Sequence, residues 1–354
     1  MRKQIGQLIH RQFRKNEIAI HELSYLFWEC TLRCNLNCLH CGSDCKRISA
    51  IADMPFDDFL KAILPLKNIY KPGTTMVVVT GGEPLLRSDL PECGFKLREN
   101  GFRWGIVTNG FAYHKDNHLK LLNAGMGAVT LSLDGLEDTH NRLRGNPDSF
   151  SHALCALDLI ASSPQLNYDV VTCVHPTNIH QLESLKNLLI SHKTKAWRLF
   201  TIAPIGRAAN NPLLQLSNSQ LRKMMDFIVK TRTEGKIDVK FSCEAYTGEY
   251  ETQVRDSFFF CRAGINICSI LIDGSVSACP NINSSFIQGS IYKDALMNIW
   301  ENRFDEMRNR AWTRKGLCEN CRDYKNCNGG ALHLWDEKRN GILQCHKCSL
   351  ENFS

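Results

Sequence analysis

Short apolar runs alternate with stretches of helical periodicity over the first two thirds of the chain. Each run is rich in β-branched or aromatic residues and ends in a polar or glycine-rich turn, as buried strands do. The runs that predict strands are Tyr25–Trp28, Thr75–Val79, Trp104–Val107, Ala128–Leu133, Asp169–Val174 and Trp197–Ile202. The stretches between them that place apolar residues on one helical face are Phe56–Ile63, Phe150–Leu159 and Ile179–Leu189. The pattern is therefore a series of βα units.

A series of βα units predicts an α/β fold, in which a parallel sheet is covered by helices. Six units between Leu23 and about Ile205 predict a partial (β/α)6 barrel, because a closed TIM-type barrel has eight strands. The side left open would admit a large substrate. Functional loops are expected at the carboxyl ends of the strands.

The segment before the first strand carries a separate helical pattern. Ile5, Leu8, Ile9 and Phe13 share one face, so residues 1–16 are expected to form an amphipathic helix that packs on the domain behind it. The alternative is binding of this basic helix to an acidic membrane surface or an acidic partner.

The remaining third of the chain predicts a connector followed by a smaller domain. A helical stripe at 216–231 and an alternating strand at 237–241 follow the barrel, and Asp273-Gly274 lies between apolar residues as in a hairpin turn. The predicted units are an N-terminal helix at 1–21, the barrel at 22–208, a connector at 209–257 and a cysteine-rich domain at 258–354.

The charge balance and the lack of long apolar runs exclude several classes of protein. The chain has 354 residues, of which 43 are basic and 36 acidic, and much of the net charge of +7 lies in the first fifteen residues. The remainder is nearly balanced and gives no indication of a nucleic-acid partner. No apolar run resembles a signal peptide or a transmembrane segment, so a cytoplasmic location is expected.

Seventeen cysteines are unusual for such a chain. The cytosol keeps thiols reduced, so clustered cysteines there indicate metal binding rather than disulfides. Eleven of them fall into spaced groups. Cys155 and Cys173 lie in apolar periodic segments and are expected to be buried, whereas Cys30 and Cys45 flank the first group and stay unassigned.

The first group is Cys34, Cys38 and Cys41, which follows the first predicted strand. Three thiolates hold three irons of a cubane cluster and leave the fourth iron open to a cofactor or substrate. Structural zinc is the alternative, but zinc prefers four protein ligands and paired Cys-x2-Cys knuckles.

The Cys-x3-Cys-x2-Cys arrangement after a first strand resembles that of the radical S-adenosylmethionine (SAM) superfamily. The resemblance implies that SAM binds the open iron of a 4Fe-4S cluster. One electron then splits its sulfonium bond, and the resulting 5′-deoxyadenosyl radical takes a hydrogen atom from a substrate C–H bond. The electron would come from a donor such as flavodoxin or ferredoxin. Acid or base chemistry of protein side chains cannot replace such a step.

Other segments at strand ends are similar to those that line the SAM pocket in this superfamily. Thr80-Gly81-Gly82-Glu83-Pro84 follows the second strand, where the glycines allow close backbone approach and Glu83 offers a carboxylate to the amino group of SAM. Pro204–Ala208 has the form of the last turn that faces SAM. For the softer matches the alternative is an ordinary polar turn. The residues implied to bind SAM are His40, Gly81, Gly82, Glu83, Asn109, Ser132, Asp134 and Arg144.

The C-terminal cysteines resemble the SPASM extension of the superfamily, which holds auxiliary 4Fe-4S clusters. Two zinc sites are the alternative. The extension usually has a further cysteine four residues after Cys327, where this chain has Ala331. The implied cluster ligands are Cys261, Cys268, Cys279, Cys318, Cys321, Cys327, Cys345 and Cys348.

Eight thiolates suffice for two complete clusters. One hypothesis assigns one of Cys345 and Cys348 to the cluster of Cys318, Cys321 and Cys327, and the other to the cluster of the first three C-terminal cysteines. In the alternative, that second cluster keeps an open iron.

SPASM-bearing radical SAM enzymes mostly modify peptides or proteins, so the resemblance implies a peptide maturase. An anaerobic sulfatase maturase, which forms formylglycine, is the nearest alternative. Those enzymes have an aspartate after the last cysteine of the first auxiliary group, whereas Pro280 follows Cys279 here. Glu244, Asp273 and Asp294 could replace that base, although all three are expected to be surface carboxylates. A non-catalytic electron-transfer protein is the alternative from another class.

Overall fold

The computed structural model describes residues 2–242, 244–336 and 341–351. Cys243 and the side chains of Arg2 and Lys3 lie outside the described part of the chain. Within it, the fold is built on one ten-stranded sheet with helices on its outer face, and a small two-stranded sheet lies near the C-terminus.

All six predicted strands are present, and the sheet continues beyond them on both sides. Its order is β10-β9-β8-β1-β2-β3-β4-β5-β6-β7, in which the strands from β8 to β7 run parallel and β9 and β10 run antiparallel. The order ends in two edges in the described residues, so the barrel is partial, as predicted. The strands are β1 (Tyr25–Thr31), β2 (Met76–Gly81), β3 (Arg103–Thr108), β4 (Ala128–Ser132), β5 (Asn167–Val174), β6 (Ala196–Thr201), β7 (Asp238–Phe241), β8 (Ile267–Ile270), β9 (Ser275–Ser277) and β10 (Gly289–Ser290). A separate two-stranded sheet pairs β11 (Trp335–Asp336) with β12 (Gly341–Ile342).

Helices cover the outer face of the sheet and bury its large side chains. Trp28 of β1 stacks on Phe59, with ring centroids 4.6 Å apart, and Trp104 and Trp197 are buried along the same core. None of the helices in the described ranges has the length and apolar character needed to cross a bilayer. The helices are α1 (Arg2–Ile20), α2 (Phe56–Ile63), α3 (Leu90–Glu99), α4 (Lys115–Asn123), α5 (Glu137–Arg144), α6 (Ser149–Ala161), α7 (Leu182–Ser191), α8 (Asn218–Glu234), α9 (Leu296–Arg303), α10 (Asp305–Arg308), α11 (Tyr324–Cys327) and α12 (His346–Glu351).

The N-terminal helix α1 continues past residue 16, within the predicted unit 1–21, and packs on a different face from the one expected. The stripe expected to be buried is largely exposed, with Leu8 at 58% and Ile9 at 66%. Instead, the His10 ring lies against Phe258 and Phe260, and Arg14 donates to backbone carbonyls of α11. The contact is made by aromatic and cationic groups, so apolar periodicity alone identified the wrong face.

The prediction that Cys155 is buried is also wrong. The side chain is exposed on α6, whose buried positions include Ala153, Ala156, Leu157 and Ile160. Residue 155 projects about 200° from residue 157 at 3.6 residues per turn, which is away from the sheet.

Candidate active site

The segment after β1 (residues 32–45, the cysteine loop) is fixed by backbone hydrogen bonds to one neighbouring strand end and one helix end. The Gly82 N–H donates to the Thr31 carbonyl at 2.7 Å, and the Glu83 N–H donates to Arg33 at 2.9 Å. On its other side, the Leu39 N–H donates to the carbonyl of residue 143 at 2.9 Å. The loop is therefore positioned by the end of β2 and by the end of α5.

The three predicted cysteines of this loop come together. Cys34 and Cys38 are buried, Cys41 is partly buried, and all three belong to one small cluster of side chains. Cys45 joins the same cluster, and its N–H lies 3.4 Å from the Cys41 sulfur as a donor. Its position four residues after Cys41 was the only sequence signal for it.

Polar donors surround these sulfurs. The Asn109 side-chain amide lies 3.7 Å from the Cys34 sulfur, and the Arg144 guanidinium lies 3.7 Å from that of Cys38. Burial raises the pKa of Cys34 to about 11, whereas the hydrogen bond from the Cys45 thiol lowers the pKa of Cys41. Donors aimed at sulfur suit thiolates that carry negative charge, as iron ligands do.

The two glycines after β2 are required by the cysteine loop itself. A Cβ on Gly82 would lie 2.0 Å from the Arg33 carbonyl oxygen, and one on Gly81 would lie 2.2 Å from the Thr31 oxygen. Gly81 also has a φ of 123°, which side chains rarely adopt. The two glycines were expected to let the backbone approach a ligand closely. In the structure they let it approach the backbone of Thr31 and Arg33.

Glu83 is fully buried at the end of β2. Its carboxylate accepts hydrogen bonds from the Thr108 hydroxyl at 2.8 Å, the Asn109 N–H at 2.9 Å and the Leu85 N–H at 3.2 Å. Burial raises its pKa to about 7 despite these donors. The structure shows a rigidly held carboxylate beside the cysteine loop.

Asp134 and Arg144 form a buried ion pair that joins the segment after β4 to the end of α5. The Arg144 Nε and Nη2 atoms lie 2.7 and 2.6 Å from Asp134 Oδ2, and the Cys173 N–H donates to Oδ1 at 2.8 Å. Burial opposes ionisation, but the Arg144 charge outweighs it and lowers the pKa of Asp134 to about 2. Ser132 ends β4 two residues earlier and is partly buried.

Two buried nitrogen atoms around this pair have no hydrogen-bond partner among the described residues. They are Nδ1 of His40, whose Nε2 lies 3.8 Å from Asp134, and Nε of Arg207. Burial lowers the pKa of His40 to about 4, so its ring is neutral at pH 7. Three converging thiols beside unsatisfied buried nitrogens fit a 4Fe-4S cluster with a polar cofactor next to it. Arg207 was indicated only as a member of the Pro204–Ala208 turn.

Five cysteines near the C-terminus form a second group. Burial and the nearby charges of Cys345, Cys318 and Cys321 raise the pKa of Cys327. Burial also raises the pKa of Cys318, and the nearby charge of Cys348 raises it further. The thiols of Cys345 and Cys348 are also hydrogen-bonded to each other. Both cysteines therefore lie close to Cys318, Cys321 and Cys327, while their division between the two auxiliary clusters stays a prediction.

The other C-terminal cysteines are Cys261, Cys268 and Cys279. Cys268 is fully buried within β8, and Cys261 lines a small pocket together with Cys327 of the second group. Ala331 is fully buried in the adjoining core. A methyl group thus occupies the position at which the SPASM extension usually has a thiol.

A cavity of about 580 Å³ lies between the cysteine loop and the C-terminal part of the chain. The loop contributes Gly42 and Ser43, the segment after β6 contributes Ile205, and the β8–β9 turn contributes Ile272 and Asp273. A substrate in this cavity would contact both the cysteine loop and C-terminal residues such as His333 and Trp335.

Of the three carboxylates suggested as bases, one is not on the surface. Glu244 is 4% exposed, and it accepts hydrogen bonds from the N–H and hydroxyl of Thr201, which also bonds to His346. Burial raises its pKa to about 8. The expectation of a surface position is wrong for Glu244, because the polar end of β6 encloses it.

Two family models match the chain. Residues 28–189 match the radical SAM superfamily, and residues 261–328 match SPASM, an iron-sulfur cluster-binding domain. The matched segments contain the cysteine loop, the strand ends around it and most of the C-terminal cysteines.

Individual proteins resemble the chain over most of its length. An AdoMet-dependent heme synthase of Methanosarcina barkeri is 26% identical over 325 residues, which are 85% of this chain and 89% of that protein. The mycofactocin maturase MftC of Mycolicibacterium smegmatis is 27% identical over 318 residues, 87% of this chain and 77% of MftC. Streptococcus suis SuiB bound to its precursor peptide SuiA has the same fold, with a TM-score of 0.73, 15% identity and coverage of 96% of this chain and 80% of SuiB.

The matched segments coincide with the three-thiol loop and with the cysteine-rich C-terminal region. The chain therefore belongs to the radical SAM superfamily, carries a SPASM domain, and is an enzyme that uses 4Fe-4S clusters and S-adenosylmethionine.

Proposed function

We propose that the enzyme reductively cleaves SAM and removes hydrogen from a peptide or protein, which it thereby modifies. The observation that carries this proposal is the cavity of about 580 Å³ that borders both the cysteine loop and the β8–β9 turn of the SPASM region. Such a position lets a segment of a larger substrate reach the cysteine loop. The similarity to MftC, named as a maturase, and the fold shared with peptide-bound SuiB support it.

In the proposed mechanism, Cys34, Cys38 and Cys41 hold the cluster, and bound SAM supplies hydrogen abstraction from an unactivated C–H bond. Glu83 holds the amino group of SAM, because its carboxylate is already fixed by three donors. Asp134 positions Arg144, whose carbonyl accepts a hydrogen bond from the Asn37 N–H of the cysteine loop.

Further residues would orient the rest of the cofactor and deliver electrons. His40, Asn109 and Ser132 face the same strand ends, and the unsatisfied Nδ1 of His40 is available for a hydrogen bond to SAM. The C-terminal cysteines hold auxiliary clusters, and a small donor such as flavodoxin or ferredoxin supplies the electron.

A second candidate function is the modification of a tetrapyrrole. The similarity to a heme synthase, over 85% of this chain, favours it. Formylglycine formation is less well supported, because Pro280 follows Cys279 and proline cannot accept a proton.

The test is anaerobic reconstitution with iron and sulfide, followed by reduction and addition of SAM with either a peptide encoded next to the gene or iron-coproporphyrin III. We expect 5′-deoxyadenosine together with a mass change in the peptide, both lost in the Cys34→Ala variant. A mass change in the porphyrin alone would contradict the peptide proposal. Absence of 5′-deoxyadenosine from cluster-loaded protein would contradict SAM cleavage by this chain.

A further inference from the structure

Glu29 is a buried carboxylate in the wall of the large cavity. It lies on β1, next to Trp28, which packs on the outer helices, so Glu29 projects to the inner side of the sheet. The residue is 7% exposed, and its Oε2 accepts a hydrogen bond from the Ile272 N–H at 3.1 Å. It borders the cavity of about 580 Å³.

The cavity is acidic although the whole chain carries a net charge of +7. Among the described residues that line it there is no lysine or arginine, while Asp273 lies in the same wall as Glu29. The one lining histidine, His333, is neutral at pH 7, because burial lowers its pKa to about 4.

The charge of Glu29 is uncompensated in the described residues. Burial raises its pKa, and the nearby charge of Asp273 raises it further, against the hydrogen bond from Ile272. Placing a carboxylate in such surroundings costs free energy unless a cation pairs with it. A ligand that brings a positive group into the cavity would remove that cost.

We propose that the cavity binds an ammonium or guanidinium group of the substrate, with Glu29 as its principal anionic contact. This inference rests on the proposed peptide substrate and specifies it: a lysine or arginine side chain, or an amino terminus, enters the cavity. Trp335 also lines the cavity, and an aromatic ring is suited to pack on such a group. A porphyrin with several carboxylates would be repelled by the same wall.

SAM also carries positive charge, so the two sources of a cation must be separated. The Glu83 carboxylate is the proposed contact of the SAM amino group, and it lies two residues after β2 rather than on β1. A substitution at Glu29 should therefore alter binding of a cationic peptide and leave the affinity for SAM unchanged.

The experiment is calorimetric titration of the cluster-loaded enzyme with three probes that differ at one residue. They are acetyl-glycyl-lysyl-glycinamide and its norleucine and glutamate counterparts. We expect the lysine probe to bind about tenfold more tightly than the norleucine probe and the glutamate probe to bind least. Glu29→Gln should abolish the preference, whereas Glu29→Asp should retain it. Glu92→Gln, at an exposed carboxylate of α3, is the matched control.

Equal binding of the three probes to the unmodified enzyme would overturn the inference, as would a lysine preference that survives in Glu29→Gln. A tenfold loss of SAM affinity in Glu29→Gln with the probe preference intact would assign Glu29 to SAM instead. If the Glu29→Gln protein does not fold or does not bind iron, two other variants decide. Glu29→Asp should then retain the preference for the lysine probe, and Asp273→Asn should reduce it. Probe binding needs no turnover, so an enzyme that prefers the lysine probe but modifies no peptide would contradict only the proposed function.

Discussion

The substitution Arg144→Met removes one partner of a buried ion pair and leaves the other in place. Arg144 makes two short contacts to Asp134 Oδ2, at 2.7 and 2.6 Å, and the side chains are only 10% and 1% exposed. Methionine fills similar space without charge, so the variant isolates the loss of the cation. The Asp134 carboxylate would remain buried with only neutral donors.

The expected loss follows from the pKa of Asp134. Its value of about 2, against an ordinary 3.8, corresponds to roughly 2.5 kcal/mol at about 1.4 kcal/mol per unit. Neither group is exposed enough for solvent to screen the interaction. Removal of one partner from a buried pair typically costs about 3–5 kcal/mol, so we expect Arg144→Met to lower the free energy of unfolding by about 3 kcal/mol.

The assay is anaerobic urea denaturation of the metal-free protein at pH 7. Asp134→Asn and the double variant complete a mutant cycle, in which the double variant should lose at least about 1 kcal/mol less than the sum of the single losses. Arg142→Met, at an exposed position of the same helix, is the matched control. The pKa of Asp134 is lowered by folding, so this stabilisation is complete above about pH 4 and is lost as the pH falls toward 2.

A loss below about 1 kcal/mol for Arg144→Met, or one equal to that of Arg142→Met, would refute the reasoning. So would strict additivity of the two single substitutions, because it would show that Arg144 and Asp134 do not stabilise each other.

Three further predictions concern the site. Gly82→Ala should abolish iron loading and SAM cleavage, because its Cβ would lie 2.0 Å from a backbone oxygen, whereas Gly127→Ala, with 3.9 Å available, should leave both intact. Cys345→Ala and Cys348→Ala should each alter the spectrum of the cluster at the second cysteine group, and unchanged iron content and spectra in both would rule out ligation by either. In the SAM-free protein, Glu83 has a pKa of about 7 when folded and of 4.5 in its ordinary state, so between these pH values the folded state keeps a proton that the unfolded state loses. The free energy of unfolding should therefore fall by roughly 3 kcal/mol from pH 4.5 to 7. Glu83→Gln should remove that slope in pH-dependent denaturation, and a slope that persists would contradict the assignment.

The central strands and the three-thiol loop could be predicted because their signals are local. Each strand is a short apolar run that ends in a turn, and Cys34, Cys38 and Cys41 lie within eight residues of one another. The predicted strand ends agree with the structure to within two residues, except that β1 continues three residues beyond Trp28.

The sheet edges could not be predicted, because strand pairing is a long-range property. β8 (Ile267–Ile270) joins β1 across most of the chain, and nothing in either run identifies its partner. The role of Gly82 as a contact of the cysteine loop was hidden for the same reason. Glu29 gave no signal, since a single carboxylate in an apolar run acquires meaning only from the cavity beside it.

The pairing of β8 with β1 has a consequence for synthesis on the ribosome. Tyr25 leaves the ribosome early, but its neighbour Ile267 follows only after roughly 12 to 50 s at typical elongation rates of about 5–20 residues per second. Through that time one side of β1 has unpaired backbone groups that invite association with other nascent chains. A chain that stops before β8 keeps that edge permanently, so a truncated barrel should aggregate rather than fold by itself.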